Sequence, residues 1–226
     1  MNTERSLKKP IVVGVVGGIA SGKSEVTRML GLMNATIISA DAIAHAVLLK
    51  PDVIKALVEI FGEGILQEQQ GSLNQTSSID RKKLGSMVFG DSDEKRAMRK
   101  KLEAIVHPLI RHLAREELAM LLRDTSLQMI LLDAPLLIEG GWLPYCNRVL
   151  FVDSPDDNRK QRAMERGWTA KEWQDRESAQ LSLDEKRKHA TDTLVNDGTL
   201  IQLEQRVKDF VAKVATPVPN LTHPIS

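Results

Sequence analysis

Eight consecutive residues, Gly17-Gly18-Ile19-Ala20-Ser21-Gly22-Lys23-Ser24, have the types and spacing needed to hold a chain of phosphates. They follow the pattern G-x-x-x-x-G-K-S, directly after the Val/Ile-rich run 11–16 and before a stretch that can continue as a helix, 25–32. Glycine lets the backbone bend around phosphate oxygens with no Cβ in the way. The loop N–H groups and the helix N-terminus then face the anion. In such a loop Lys23 carries a mobile positive charge to the β- and γ-phosphates of ATP, and the Ser24 hydroxyl ligates Mg²⁺. Gly18, Ile19, Ala20, Ser21, Gly22, Lys23, Ser24 and Glu25 are therefore the candidate nucleotide-binding residues. A glycine-rich turn with an incidental Lys-Ser would need neither the strand before it nor the helix after it.

Other chemistry-bearing residues fall at the ends of apolar runs. Asp133 closes the run 129–132 and is placed to hold Mg²⁺ through water; equally, it reads as a strand-ending turn residue before Ala134-Pro135. Asp41 closes the run 36–40. Strands of a parallel sheet all end on one ligand-binding edge, so Asp41 is expected near the γ-phosphate. A carboxylate there can accept the proton of an acceptor hydroxyl and orient it for in-line attack. Its other reading is the N-cap of a helix beginning at Ala42, and the two are compatible. Arg162 and Arg166 are four residues apart, so one helix face can present both, with Arg159 able to join them. Guanidinium groups suit the charge of a phosphoryl group in transfer. With the phosphate loop upstream, this zone reads as a lid over ATP rather than a solvated charged face.

The elements that must position these residues alternate. The apolar runs 11–16, 36–40, 129–132, 149–152 and 193–195 are separated by amphipathic stretches, the pattern of a parallel sheet covered on both faces. The longest gap, 42–126, is mostly helical: 42–49, 51–61, 80–89, 93–106 and 108–123, with Asp80 and Ser92 or Asp93 as N-caps. His107-Pro108 is expected to split the last pattern into two helices. A helical insertion of this size reads as a substrate-holding subdomain, a plain helical layer being the alternative. Core residues are then 11–41 and 127–215, with a lid at about 154–190 and a loose tail at 217–226.

The net charge of +1 leaves no global field for nucleic acid. No stretch nears the ~20 apolar residues of a membrane span. The one cysteine, Cys146, rules out a disulfide framework and suits a reducing cytoplasm. Composition leaves monomer and small homo-oligomer equally open.

Several further elements resemble one family, dephospho-coenzyme A kinase, over about residues 11–198. Besides the phosphate loop these are Ser39-Ala40-Asp41-Ala42-Ile43-Ala44, Ile79-Asp80-Arg81-Lys82-Lys83-Leu84, Leu102-Glu103-Ala104-Ile105-Val106-His107-Pro108 and Asp133-Ala134-Pro135-Leu136-Leu137-Ile138-Glu139. The resemblance implies a three-layer α/β/α P-loop core with a five-stranded parallel sheet, a helical substrate domain and a lid. It implies phosphorylation of the ribose 3′-hydroxyl of dephospho-CoA by Mg-ATP, with Asp41 as base and Asp41, Arg81, Lys82, His107 and Pro135 near the acceptor. Four positions depart from the family pattern. Ala20 stands where glycine is frequent, tolerable unless that position needs a positive φ. Glu25 adds a like charge beside the phosphates. Arg159 replaces a usual Gln, and Thr191 displaces the acid to Asp192. Another small-acceptor kinase shares the core but not the His107-Pro108 element. A regulatory nucleotide switch is disfavoured by the lid and by the absence of an Asn-Lys-x-Asp guanine motif.

Overall fold

The computed structural model describes residues 9–67, 78–90, 92–134 and 136–215. Pro135, the expected tail and most of the polar loop within 62–78 lie outside them. Among the described residues the strands are β1 (Ile11–Gly17), β2 (Thr36–Ser39), β3 (Met129–Asp133), β4 (Arg148–Asp153) and β5 (Asp192–Val195). They form one five-stranded sheet, all parallel, in the order β2-β3-β1-β4-β5. The sequence explains the order. β1, β3 and β4 are continuously buried, as strands covered on both faces must be. β5 alternates buried and exposed residues, as an edge strand can.

Helices α1 (Lys23–Leu32), α2 (Ala40–Leu48), α3 (Pro51–Phe61), α4 (Arg81–Val88), α5 (Asp93–Leu121), α6 (Asp156–Glu165), α7 (Ala170–Ser178), α8 (Leu183–Lys188) and α9 (Leu200–Ala215) complete the described chain. Two compact units result, Met1–Ser39 with Ala119–Ser226, and Ala40–Leu118. In the first, Val13, Val15, Leu131, Leu150 and Val152 of the sheet pack on Val26 and Leu30 of α1 and on Leu203, Val207 and Phe210 of α9. On the opposite face Val12, Val16, Ile130, Leu132 and Phe151 are as deeply buried. Each such side chain contributes roughly 1.5–3 kcal/mol by leaving water. The second unit has its own core, built on Val47, Val53, Leu57, Phe61, Leu84, Val88 and Val106.

Two sequence expectations are corrected here. His107-Pro108 does not divide the helix: α5 runs unbroken through Pro108. Proline removes one rung of the ladder, but Leu102, Ile105 and Val106 before it and Leu109, Ile110 and Leu113 after it share one apolar cluster, which holds both halves in register. Asp41 is not an N-cap either, because α2 begins at Ala40 and Asp41 is its second residue. Capping at Asp80 and Ser92 is as expected: Asp80 accepts from the Lys82 and Lys83 amides, and Ser92 Oγ accepts from the Lys95 amide at 3.2 Å.

Thr191-Asp192, the displaced acid, locks the sheet edge. Asp192 is 3% exposed and accepts from Arg148 Nη1 at 3.0 Å and Lys213 Nζ at 2.6 Å. Thr191 Oγ1 donates to it at 2.8 Å, and the Thr191 hydroxyl also accepts from the Val149 amide at 3.0 Å. Burial alone would raise the Asp192 pKa; the Lys213, Thr191 and Arg148 hydrogen bonds outweigh it and hold the carboxyl below its ordinary value of 3.8. Asp192→Asn is therefore expected to destabilise the protein by ~2–3 kcal/mol at neutral pH. Because the folded-state pKa is depressed, this contribution is complete well above 3.8 and disappears as pH falls through the lower folded value. Urea melts of both proteins across acid pH check this; a difference that does not shrink on acidification would contradict it.

Candidate active site

The phosphate loop joins β1 to α1 at the carboxyl edge of the sheet. Gly22, the residue before α1, lies at φ 96 and supplies no capping side chain. The first-turn N–H groups of Lys23 and Ser24 are thereby left to an anion. A Cβ on Gly22, which also lies at positive φ, would come within 2.2 Å of Asn196 Nδ2, and one on Gly18 within 2.3 Å of Arg159 Nη1, so the side chains that grip the loop would have to shift.

The loop is held by its carbonyls. Lys23 Nζ donates back to Gly17 O at 3.2 Å and Gly18 O at 3.1 Å. Arg159 Nη1 reaches Ile19 O at 3.4 Å. Arg162 Nη1 lies 3.3 Å from both Ala20 O and Ser21 O and 3.0 Å from Ser154 Oγ. Asn196 Nδ2 donates to Ser21 O at 2.8 Å, and Lys186 Nζ to Gly17 O at 3.4 Å. Two loop amides are themselves taken: Ser21 N–H donates to Gly18 O at 3.2 Å, and Ile19 N–H to Glu177 Oε2 at 3.1 Å, Glu177 in turn accepting from Arg159 at 2.7 Å. Among the described residues the buried Ser21 hydroxyl has no hydrogen-bond partner.

The electrostatics are those of an anion site. Burial, then the neighbouring Lys186, pushes the Lys23 pKa down to about 8, against the attraction of Asp133 and Glu177. Asp133, the last residue of β3, thus stands close enough to Lys23 to act on its charge. Burial and then the adjacent Arg166 lower the Arg162 pKa. Arg166 itself is the exposed residue just past α6, close enough to Arg162 to act on its charge. Arg159 is no solvated residue: it is 2% exposed, paired with Asp156 at 2.7 Å and Glu177, and its guanidinium carbon lies 5.2 Å from the Trp173 ring centroid.

The other departures resolve physically. Ala20 does sit at positive φ, 59. A non-glycine residue there costs roughly 1–2 kcal/mol, offset by its packing against Ala163 and Trp173. Glu25 turns along α1 to pair with Arg28 at 2.6 Å, which places a positive charge beside it. Trp142 and Trp173 are buried packing residues, and Trp168 lies beneath the Arg176 guanidinium at 4.4 Å.

Lys23, Ser24, Asp133 and Arg162 belong to the first unit; Asp41, Arg81, Lys82 and His107 belong to the second. Asp41 follows the last residue of β2, Ser39, by two positions, and Ser39 pairs in register with Asp133. Arg81 and Lys82 open α4, and His107 is an exposed residue of α5. Sequence reasoning gave no role to Glu177, Lys186 or Asn196. They lie some 158 to 175 residues from the loop atoms they touch, and no local pattern marks them. The donors suited to a metal, the Ser24 hydroxyl and the Asp133 carboxylate, are hard oxygens of the kind Mg²⁺ takes.

Known proteins resemble this chain over most of its length. Residues 11–202 match the family model described as dephospho-CoA kinase. The dephospho-CoA kinase of Geobacillus kaustophilus is 41% identical over 192 residues, covering 84% of this chain and 89% of its own. That of Geobacter sulfurreducens is 38% identical, covering 89% and 98%. Among solved structures, a Thermus thermophilus protein superposes with a TM-score of 0.71 at 34% identity, covering 91% of this chain and 98% of its own. The dephospho-CoA kinase of Campylobacter jejuni gives 0.66 at 26% identity, covering 90% and 96%. Matches that run from β1 to the start of α9, and so take in the loop, the helical unit and the residues that grip the loop carbonyls, place the chain in the dephospho-CoA kinase family.

Proposed function

We propose that the protein transfers the γ-phosphoryl group of ATP to the ribose 3′-hydroxyl of dephospho-CoA, yielding CoA and ADP. The observation that carries the reading is the meeting of Lys23, Asp133 and Arg162 at a glycine-rich loop whose carbonyls from Gly17 to Ser21 are turned onto side chains. The residues matching the family's pattern in both units support the choice of acceptor.

In this reading the N–H groups of Gly18, Ala20, Gly22, Lys23 and Ser24 hold the phosphates and Lys23 bridges the β- and γ-groups. Ser24 and, through water, Asp133 would hold Mg²⁺, whose charge offsets that of the phosphate oxygens when it is bound. Asp41 accepts the 3′-hydroxyl proton as the ribose oxygen bonds to the γ-phosphorus and the bond to the β,γ-bridging oxygen breaks. Arg162 and Arg166 stabilise the charge spread over the transferring group. Arg81, Lys82, His107 and Pro135 contact the acceptor. The helical unit is the acceptor-holding domain, and the segment 154–190, already in contact with the loop through Arg159 and Arg162, closes over the nucleotide and excludes water. The site of action is the cytoplasm; no helix among the described residues is long and apolar enough to cross a membrane.

Coupled ADP-release assays with Mg-ATP should show turnover with dephospho-CoA and not with nucleosides, nucleotides or pantetheine compounds; a different preferred acceptor would keep the transfer chemistry and discard the substrate. Lys23→Ala should lose about 10²-fold or more in kcat while its melting temperature is retained, and full activity would remove the role given to the loop lysine. Asp41→Asn should bind ATP as the parent protein does and lose ~10²–10⁴-fold in turnover. An Asp41→Asn protein that is merely less stable, with its turnover intact, would make Asp41 a structural residue.

A further inference from the structure

Lys186 lies on α8, a short helix far from the loop in sequence, yet its side chain is among the most buried polar groups of the chain at 4% exposed. Its ammonium donates to Gly17 O at 3.4 Å and to Gln180 Oε1 at 2.6 Å. Lys23 Nζ donates to the same Gly17 oxygen. A half-buried and a buried ammonium group thus converge on one neutral carbonyl, and the oxygens to which they hydrogen-bond, among the described residues, are uncharged carbonyl or amide oxygens.

That arrangement is unfavourable for the protein alone. Buried charges are ordinarily paired, and here like charges face each other across a shared acceptor. Burial lowers the Lys186 pKa, with Glu139 and Glu177 opposing and Arg159 assisting. If Lys186 served only to tie α8 to β1, a neutral donor would do so without desolvating a charge. What the pair suits is a ligand that brings several negative charges to this point.

We infer that Lys186 is a second phosphate-binding lysine: when ATP enters the loop, its ammonium leaves the Gly17 carbonyl for a terminal phosphate oxygen beside Lys23. The inference rests on the loop being a nucleotide site, as proposed above, but not on the identity of the acceptor. Lys186 then links the α7–α8 segment to the nucleotide, because Glu177 and Gln180 of that segment already engage the Ile19 amide and the Lys186 ammonium.

The test is calorimetric titration of the full chain with Mg-ATP and, separately, with adenosine, which carries no phosphate. Lys186→Gln keeps a donor for Gly17 O and removes the charge; Lys186→Arg keeps the charge. Lys186→Gln is expected to weaken Mg-ATP about tenfold or more, the loss of one charge-assisted hydrogen bond. Its adenosine affinity and melting temperature should be unchanged or, for the latter, raised. Lys186→Arg should stay within about threefold of the parent, since one charge-assisted contact is retained. Parental Mg-ATP affinity in Lys186→Gln, equal losses for ATP and adenosine, or failure of both variants to fold would each overturn the inference and leave Lys186 an anchor of α8. Since no acceptor is present, the outcome is independent of the dephospho-CoA assay: a parent protein that binds ATP but spares dephospho-CoA fails the acceptor assignment only.

Discussion

The carbonyl oxygens of Gly17, Gly18, Ile19, Ala20 and Ser21 are each gripped by a side chain: Lys23 and Lys186, Lys23, Arg159, Arg162, and Arg162 with Asn196. The rest of the site depends on this grip. A buried carbonyl must find a donor, and a loop whose acceptors are all held from behind can turn its amides toward a ligand. The donors come from α1, α6, α8 and the residue after β5, so the loop's shape is imposed by the sheet and by the 154–190 segment together rather than by its glycines alone. Glycine's part is to permit the approach: at Gly18 and Gly22 the gripping side chains stand where a Cβ would be.

Arg159 is the hub of that segment. Its guanidinium touches the loop at Ile19, binds carboxylates of α6 and α7, and lies over Trp173, which packs with Ala20 and Ala163. Charge, stacking and apolar contact therefore converge at a strained point of the backbone, the positive φ of Ala20. Glu177 completes the hub by occupying the Ile19 amide. A carboxylate on a loop N–H is a close chemical analogue of a phosphate oxygen there, so in this state α7 fills part of the anion cradle.

The sheet makes such long-range contacts repeatable. β1 lies at its centre, buried on both sides and paired with β3 and β4. The loop that follows β1 is thereby set between the ends of β3, which carries Asp133, and of β4, which leads through Ser154 to the segment bearing Arg159 and Arg162. The Arg148–Asp192–Lys213 cluster at the opposite end of the edge strand holds β5 in register. Asn196, just past β5, can then reach Ser21.

The phosphate loop, the strands and most of the helices were legible because their signals are local: a fixed spacing of Gly and Lys-Ser, unbroken Val/Ile runs for strands buried on two faces, and polar caps before apolar-periodic stretches. Local signals misled where tertiary packing outweighed them. Pro108 stayed within α5 because apolar contacts on both sides outweigh one lost rung. Asp41 entered the first turn of α2 rather than capping it. By itself the sequence determined that a nucleotide loop sits at the edge of a parallel sheet and which residues bear the chemistry. Only the tertiary structure decided which distant side chains hold that loop open: Glu177, Lys186 and Asn196 act through single contacts across more than 150 positions, and a contact between residues so far apart leaves no periodicity or spacing in the chain to be read.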